Sequence, residues 1–519
     1  MANLETYKQQ HDAVGADLSD ASISMTAQPR YWRTSEDEAR IDAANLNEGF
    51  YYGRHYQGDG GPWVHPYGQV KASRDKIPYI QENLLAKISR VYADLLLGEG
   101  IIVTSERSEI QDFLDALKMN RPQRKAKKTP SKQGEIWAAL VRASFLGFVG
   151  LQPIWDKGQN RWNWAVIDGR NLYVEFHPAK DEIIRIRKCI LFEKIRVADK
   201  IMNILYEETH TRGAVETRLY EVKGRLIVRD LDLSAYKAVD SAAELVEYWQ
   251  TGLDDFMISL LFCDLMGRAV TSDYTSTILK LQEALNRRVT QIDRILTQHG
   301  NPKLMVDRQS FIEDKDTGEA FWPFLTSEVL GIDGHTTNPS YLTWDGQIDR
   351  AEKNRDDTIL ALLTEADVAP QLLSFTQLVG GTTADTAAKL EKMLHATIKR
   401  AAHKQEFLDK ALSGLIGNLL LLSGFVAADF SIEYPEFIPQ GRDEILAEVL
   451  ERKRDGLLST LQALMWLDDI SEEDAQKELE RIENEKANSV ANPFRSFETQ
   501  AKQPEEEKEV IKEEENVPE

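Results

Sequence analysis

The sequence predicts a mixed α+β fold that is predominantly helical, because two kinds of apolar periodicity occupy separate parts of its 519 residues. Residues 151–232 alternate with a period of two, and the pairs Arg212-Gly213 and Lys223-Gly224 separate the alternating runs, as in antiparallel strands. Helical spacing of apolar residues prevails in the longest patterns elsewhere. The main helical stretches are 77–100, 272–300, 349–367 and 384–422.

The composition predicts sizeable hydrophobic cores in an acidic protein. Hydrophobic residues make up 42% of the chain and charged residues 29%, and the length corresponds to about three or four structural units. The net charge of −22 argues against a broad basic surface that grips DNA. Part of this charge lies in the Pro- and Glu-rich tail 491–519, which is expected to be disordered.

The N-terminal part of the chain combines polar segments with short helices. Residues 1–75 form a polar, aromatic-rich segment, in which 51–68 predicts an irregular loop. The basic segment 121–132 fits an exposed, Pro-flanked loop better than a DNA-binding arm. The helix predicted over 77–100 has one apolar face, formed by Ile80, Leu84, Leu85, Ile88, Val91 and Leu95.

Two helices flank a small α/β insertion in the second half of the chain. The first, 272–300, has Ser272 or Asp273 as its N-cap and Gly300 as its C-terminal stop. The insertion, 301–346, contains a "DKDTGEAF" hairpin turn, and the second helix follows over 349–367. The apolar stripe of the first helix consists of Ile278, Leu281, Leu285, Ile292 and Ile295. A different face of that helix carries Lys280, Arg287 and Arg294, spaced by seven residues.

A flexible break directly precedes the longest predicted helix. In "FTQLVGGTTADTAAKLEKML" (375–394), Gly380 and Gly381 end an apolar run, and Thr382 with Asp385 makes a capping box. The helix runs from Ala384 to about Leu422, which corresponds to about 60 Å. The apolar stretch 411–428 near its end contains Asn418, two serines and three glycines, and therefore predicts a buried helix rather than a membrane span. A strand, "DFSIEYPEF", and a helical module over 442–486 follow.

The sequence lacks the motifs of common enzymes and of secretory signals. There is no G-x-x-x-x-G-K-[ST] loop, and the nine histidines include no H-E-x-x-H pair. His395 and His403 are eight residues apart on one helix, too far to chelate one metal. We therefore expect no enzymatic activity, no cofactor and no metal. Cys189 and Cys263 lie in apolar runs and are expected to be small core residues of a reduced protein.

Several stretches give the chain a resemblance to a known family. They are "NLLAKISRVYADLLLGEGIIV" from residue 83, "SDYTSTILKLQEALN" from 272, "LVGGTTADTAAKLEKML" from 378 and "LLSTLQALMWLDDISEEDAQKELERIENE" from 457. With these features in this order, the chain over about 75–490 resembles the portal proteins of tailed bacteriophages, the head–tail connectors of the siphophage-like portal family.

The resemblance implies a portal-type fold with wing, stem, clip and crown, assembled as a dodecameric ring around a central channel. Residues 1–75 would precede these parts as an N-terminal polar segment, and 491–519 would follow them as the tail. The implied parts are the wing (76–271), the first stem helix (272–299), the clip (300–346), the second stem helix (347–366), the tunnel loop (367–383), the long helix with a wing strand (384–440) and the crown (441–490).

Two sets of residues would meet DNA if the resemblance holds. The uncharged tunnel-loop residues would touch passing DNA without ion pairing, whereas the alternative is an ordinary helix–helix connection. These residues are Gln377, Leu378, Val379, Gly380, Gly381, Thr382 and Thr383. On the stem, Lys280, Arg287 and Arg294 would either form rings of positive charge in the channel or pair with acids on neighbouring stems or on the second stem helix. The acids of that second helix include Glu352, Asp356 and Asp357.

The implied function is the passage of double-stranded DNA through one capsid vertex during packaging and ejection, and a platform for head–tail joining. The implied partners are eleven further copies of the chain, the terminase large subunit as motor, the major capsid and scaffolding proteins, and head–tail adaptors, without a membrane. The protein would reside in the virion and, during assembly, in the host cytoplasm. The alternatives are a nucleic-acid-processing enzyme, such as a nuclease or terminase-like protein, and a non-portal structural adaptor or scaffold.

Overall fold

The fold was analysed in a computed structural model, in which the chain forms two compact units. The first unit consists of Met1–Thr383 with Glu391–Phe437, and the second of Ala384–Leu390 with Ile438–Glu519. The structure describes residues 30–56, 61–63, 80–98, 100–120, 132–197, 200–241, 245–299, 303–307, 312–313, 320–321, 329–332, 340–342, 348–373, 387–426, 429–435, 437, 442–468 and 472–491.

Long helices and antiparallel sheets both occur, which confirms the predicted mixed α+β class. In the described part of the chain the α-helices are α1 (Ser35–Tyr51), α2 (Leu84–Leu97), α3 (Ser108–Leu117), α4 (Gln133–Leu146), α5 (Ser276–His299), α6 (Ile348–Glu365), α7 (Ala387–Leu422), α8 (Arg442–Arg454), α9 (Thr460–Asp468) and α10 (Glu472–Ala491).

The strands lie mainly between α4 and α5 and between α5 and α6. They are β1 (Ile102–Thr104), β2 (Phe148–Asp156), β3 (Arg161–Asp168), β4 (Leu172–Phe176), β5 (Ile183–Val197), β6 (Lys200–Thr211), β7 (Ala214–Lys223), β8 (Leu226–Leu231), β9 (Tyr248–Gln250), β10 (Ser259–Phe262), β11 (Asp264–Met266), β12 (Ala269–Thr271), β13 (Lys303–Asp307), β14 (Ile312–Glu313), β15 (Ala320–Phe321), β16 (Val329–Ile332), β17 (Ser340–Leu342) and β18 (Ser431–Glu433).

The alternating segment of the sequence forms an antiparallel sheet in the order β4-β5-β6-β7-β8, with β9 also pairing with β7. The two predicted turns are present: Gly213 joins β6 to β7 and Gly224 joins β7 to β8, with φ of +78° and +60°. Glycine fits both turns because a side chain is strained at positive φ. A second antiparallel sheet, β10-β2-β3, contacts the first through Gln152, whose side chain accepts a hydrogen bond from Lys188 at 3.0 Å.

The main hydrophobic core of the first unit is built from helices. Residues of α2 and α4 pack with Leu412, Leu415 and Leu419 of α7, all three of which are fully buried. The prediction of a buried helix at the start of the stretch 411–428 is therefore confirmed as far as α7 extends. Its polar member Asn418 is satisfied, because the side-chain amide donates to the carbonyl of Phe256 at 2.8 Å. Cys189 and Cys263 are both buried and free, as predicted.

Helices α5 and α6 pack against each other, with strands inserted between them in sequence. Ile278 and Leu285 of α5 belong to the same buried cluster as Ile359 and Leu362 of α6. In the insertion, β13 pairs in parallel with β16 and antiparallel with β17. Strands β14 and β15 form an antiparallel pair, and β15 consists of the last two residues of the predicted "DKDTGEAF" turn. The chain therefore leaves along one helix, forms a strand-containing insertion and returns along the other.

One N-terminal boundary is wrong by one residue: the polar segment 1–75 contains a 17-residue helix, α1, whose last residue, Tyr51, is the first of the predicted loop 51–68. Thr34 caps α1 by accepting from the backbone N–H of Asp37, whose carboxylate in turn accepts from the backbone of Thr34. The helix escapes prediction because its buried face includes a polar residue. This is Asn47, which donates to the carbonyl of Phe145 at 3.0 Å.

Two predicted helix starts are also wrong. The helix predicted over 77–100 begins at Leu84, because Asn83 caps it and residues 80–83 are not helical. The helix predicted from 272 begins at Ser276, where the hydroxyl of Thr275 accepts from the backbone of Ile278 at 3.2 Å. Asp273 is not the cap, because its carboxylate is buried in an ion pair.

The second unit contains the helical module predicted over 442–486. It consists of α8, α9 and α10, and α9 contacts both of the others. Val449, Ala463 and Ala475 are its buried apolar residues among those that the structure describes.

Candidate functional site

A stripe of basic side chains runs along the exposed side of α5. Lys280 and Arg287 are exposed, and Arg294 is half-buried. Seven residues make nearly two turns, so successive members lie about 10.5 Å apart along the helix and drift only slightly around it. We refer to these three residues as the basic stripe.

The other sides of α5 are occupied, which leaves the basic stripe facing away from the packed core. Ile278 and Leu285 lie on the side that packs with α6, where Arg288 also donates to the hydroxyl of Thr358. A second side carries three fully buried polar residues that contact the segment 80–84. These are Gln282, Asn286 and Thr290, spaced by four residues.

Two members of the basic stripe, Lys280 and Arg287, are not paired with the acids of α6 that the structure describes. Neither Lys280 nor Arg287 forms an ion pair with a residue that the structure describes. On α6, Asp356 instead pairs with Arg355 at 3.2 Å, and Arg355 also holds Glu82 at 3.0 Å. The sequence allowed a channel role or pairing with acids, either on neighbouring subunits or on α6. Pairing of Lys280 or Arg287 with the described acids of α6 in the same chain is not present. A channel role and pairing across subunits both stay predictions.

The segment 80–84, which we call the strap, binds α5 through its backbone. Its N–H groups at Ile80, Glu82 and Leu84 donate to Thr290, Asn286 and Gln282, at 3.3, 3.2 and 3.1 Å. The N–H of Leu84 also donates to the carbonyl of Glu82 at 3.0 Å, so the strap turns at Asn83 as it enters α2.

A buried ion pair ties α7 to the segment that precedes α5. The Nζ of Lys404 lies 2.9 and 3.0 Å from the two carboxylate oxygens of Asp273, and both residues are over nine-tenths buried. The ammonium also contacts Cys263 Sγ at 3.0 Å and the ring of Tyr92 at 5.0 Å from its centroid. Ser144 donates to Asp273 at 2.7 Å, so the carboxylate has a further partner.

The pair keeps both of its charges. Burial opposes ionisation of Asp273, but the ammonium of Lys404, together with Ser144 and Arg400, outweighs burial and holds the pKa of Asp273 below its usual value. Burial likewise disfavours the charged form of Lys404, yet the carboxylate raises the pKa of that lysine above its ordinary value. Sequence patterns did not identify Lys404, because a lysine on an amphipathic helix ordinarily lies at the surface.

Other residues singled out in the sequence are only partly described. The tunnel-loop residues Gln377, Leu378, Val379, Gly380, Gly381, Thr382 and Thr383 lie outside the described residues, as do residues 121–131 of the basic segment. Its last member, Lys132, donates to the side chain of Asn163 at 2.6 Å. His403 lies 3.5 Å from Asp264 and packs on Phe407, in line with a satisfied surface residue.

The described residues contain neither a metal-binding cluster nor a membrane-spanning helix. No group of three or more His, Cys, Asp or Glu side chains within the described ranges is placed to hold a metal ion. None of the described helices combines the length and the apolar character that crossing a membrane requires.

Comparison with known proteins shows a distant structural likeness. No protein-family model matches the chain, and no curated protein matches it. Among solved structures, a chain from the neck of an empty GTA particle, computed with C6 symmetry, has 12% sequence identity and a TM-score of 0.38. The match covers 78% of this chain and 96% of that chain. A TM-score this low does not establish a shared fold.

Proposed function

We propose that the chain is a portal protein, which forms a dodecameric ring through which double-stranded DNA enters and leaves a phage capsid. The observation that carries this proposal is the helical pair α5–α6. It encloses a strand-containing insertion in sequence, and its first helix carries a basic stripe in which Lys280 and Arg287 are exposed and form no ion pair with a residue that the structure describes. The resemblance of the sequence to portal proteins assigns these parts to the stem and the clip.

The charge distribution supports a channel that conducts DNA. The chain has a net charge of −22, so walls of average composition repel the phosphate backbone. A narrow stripe of three basic side chains then supplies transient phosphate contacts that steady the duplex. Exposed contacts of this kind are weak and screened by salt, so DNA can move past them.

The remaining roles follow from the family assignment. The clip would meet the terminase large subunit and later the head–tail adaptors, and the crown would comprise α8, α9 and α10. The tunnel loop would precede α7, whose 36 residues form the longest helix among those described. The motor would be the terminase, since the sequence contains no P-loop motif.

The proposal is tested by measuring the mass of the purified protein in solution and imaging it by negative-stain electron microscopy. We expect a ring of twelve subunits with a hole wide enough for duplex DNA. A monomer or an open filament would contradict the proposal and favour an adaptor or a scaffold. Metal-dependent DNA cleavage or ATP hydrolysis by the purified chain would favour the enzyme alternative.

The proposed tunnel loop gives a first functional prediction. Replacing Gly380 and Gly381 together with alanine should reduce DNA packaging while rings and heads still assemble, because alanine favours helix over a flexible break. The measurement is the amount of nuclease-protected DNA per head.

A glycine on α7 provides a matched control for this variant. A Cβ at Gly417 would have no atom within 4 Å, so Gly417→Ala should package DNA like the wild type. If the Gly380→Ala, Gly381→Ala double variant also packages at the wild-type level, these glycines have no gating role.

A further inference from the structure

Two tyrosines and two arginines form a surface at the end of α1. The side of Tyr52 that faces solvent is large, with 64% of the residue exposed, and its ring lies 5.1 Å from that of Tyr51. The guanidinium carbon of Arg54 lies 5.8 Å from the centre of the Tyr52 ring, and that of Arg90 lies 5.5 Å from the centre of the Tyr51 ring. Arg90 also donates to the hydroxyl of Tyr51 at 3.2 Å. We call these four residues the arginine surface.

The charges of the arginine surface are not neutralised within the described part of the chain. Arg54 and Arg90 are exposed, and neither forms an ion pair with a residue that the structure describes. The acid that precedes this surface on α1, Glu48, is held by Arg170 at 2.7 Å. On α2, Asp94 lies one turn after Arg90 but accepts from an indole N–H at 2.8 Å. The arginine surface therefore offers two cations to a partner.

A second surface combines aromatic rings and acids at the far end of the hairpin formed by β2 and β3. Trp155 is 47% exposed, and Tyr248 is 61% exposed. The half-buried Trp162 lies 5.4 Å from Trp155 and 6.1 Å from Trp249, measured between ring centres. Because Trp249 directly follows Tyr248 on β9, these aromatic residues belong to one region of the surface.

Three carboxylates lie around this row of rings. Glu247 directly precedes the exposed tyrosine, and Asp254 and Asp255 follow Leu253, which packs with two of the indoles. All three acids are exposed, and none forms an ion pair with a residue that the structure describes. The hairpin tip 156–161 adds one acid and two bases, so the region keeps a net negative charge. The acidic surface, as we call it, consists of Trp155, Tyr248, Glu247, Asp254 and Asp255.

The arginine surface and the acidic surface lie at opposite ends of β2. Near its start, the ring of Tyr51 packs 5.0 Å from that of Phe145, which precedes the first residue of the strand by three positions. Towards its other end, Trp155 is seven residues beyond Phe148, which corresponds to about 23 Å of strand. This separation exceeds the Debye length of about 8 Å at physiological salt, so neither surface offsets the charges of the other.

We propose that the arginine surface of one copy of the chain binds the acidic surface of a second copy. Both surfaces have the composition of binding hot spots, in which Trp, Tyr and Arg are enriched. An acidic chain with a net charge of −22 repels its own copies on average, so a contact that matches cations with carboxylates is the favoured one. Contact between two different surfaces repeats from copy to copy, and it closes into a ring when the rotation between copies allows it. This contact would join neighbouring subunits of the ring, so it rests on the function proposed above.

Charge reversal on either surface should weaken assembly. Arg54→Glu with Arg90→Glu, and separately Asp254→Lys with Asp255→Lys, place like charges together across the contact. The protein concentration at which half of the chains are assembled should therefore rise about tenfold or more. All four substitutions together restore opposite charges with the signs exchanged, and this variant should recover assembly. Sedimentation of the full-length protein measures the assembled fraction.

A matched control and four outcomes decide the test. Lys223→Glu with Lys237→Glu reverses two exposed lysines outside both surfaces and should assemble like the wild type. Rings that persist in both double reversals would overturn the proposed contact and leave the proposed function standing. A loss of packaged DNA from such rings would assign the arginine surface to nucleic acid instead. A fourfold variant that assembles no better than the double reversals would also contradict the contact. A wild-type chain that stays monomeric would contradict the contact and the proposed function together.

Discussion

Lys404→Met should lower the free energy of unfolding by about 3–5 kcal/mol, the usual cost of leaving one member of a buried ion pair without its partner. Methionine fills similar space but offers no hydrogen-bond donor to Asp273. The carboxylate would keep Ser144, at 2.7 Å, and the more distant guanidinium of Arg400, at 3.8 Å. Urea denaturation at matched protein concentration measures the change.

Two comparisons attribute this loss to the unpaired carboxylate. Lys399→Met changes an exposed lysine on the same helix and should alter stability by no more than about 0.5 kcal/mol. Adding Asp273→Asn to Lys404→Met removes the buried charge, while the amide oxygen still accepts from Ser144, so much of the lost stability should return. A Lys404→Met protein as stable as the Lys399→Met control would show that the pair contributes nothing.

The pH dependence of the Lys404→Met penalty has a definite sign. In the wild type the pKa of Asp273 is lowered, so its contribution is present above an ordinary aspartate pKa of about 3.9 and is lost as the pH falls further. The raised pKa of Lys404 makes its contribution constant up to about pH 10. Without the lysine, burial dominates and raises the pKa of Asp273, so the variant gains relative stability on acidification. The penalty should therefore be largest near pH 7 and shrink towards pH 4.

Strong periodicity explains which elements could be predicted from the sequence. The helices α5, α6 and α7 have long apolar stripes, and β5 to β8 alternate between turns that contain glycine, so pattern and structure agree. The apolar pattern wrongly predicted a helix over the start of the strap, because Ile80 and Leu84 have the spacing of a helix face. Backbone hydrogen bonds to Gln282 and Asn286 hold this segment against α5 instead, and partners some 200 residues away leave no local signal.

The buried polar groups were the least predictable part of the candidate sites. Asp273 has the sequence context of a helix cap, and only the fold places Lys404 against it. Asn286 is likewise an ordinary polar residue in the sequence, and its hydrogen bond to the strap joins distant segments. The basic stripe could be predicted, because its period of seven residues is a property of one helix.

The basic stripe supports the prediction with the largest functional effect. Arg287→Glu reverses an exposed charge and changes each subunit by two charge units, which amounts to about 24 units in a ring of twelve. If the stripe faces the channel, a ring of carboxylates would replace the central ring of phosphate contacts. Packaging or retention of DNA should then fall about tenfold or more, with rings intact.

The two interpretations of the basic stripe predict different defects, one in DNA packaging and the other in ring assembly. If Arg287 instead pairs with an acid on a neighbouring subunit, Arg287→Glu places like charges together, and ring assembly itself should fail. Arg287→Lys keeps the charge and should resemble the wild type in both respects. Negative-stain images report assembly, and nuclease-protected DNA per head reports packaging.

Because Arg287 is exposed and forms no ion pair with a residue that the structure describes, its replacement should not disturb the subunit fold. A variant that assembles and packages normally would therefore contradict both interpretations.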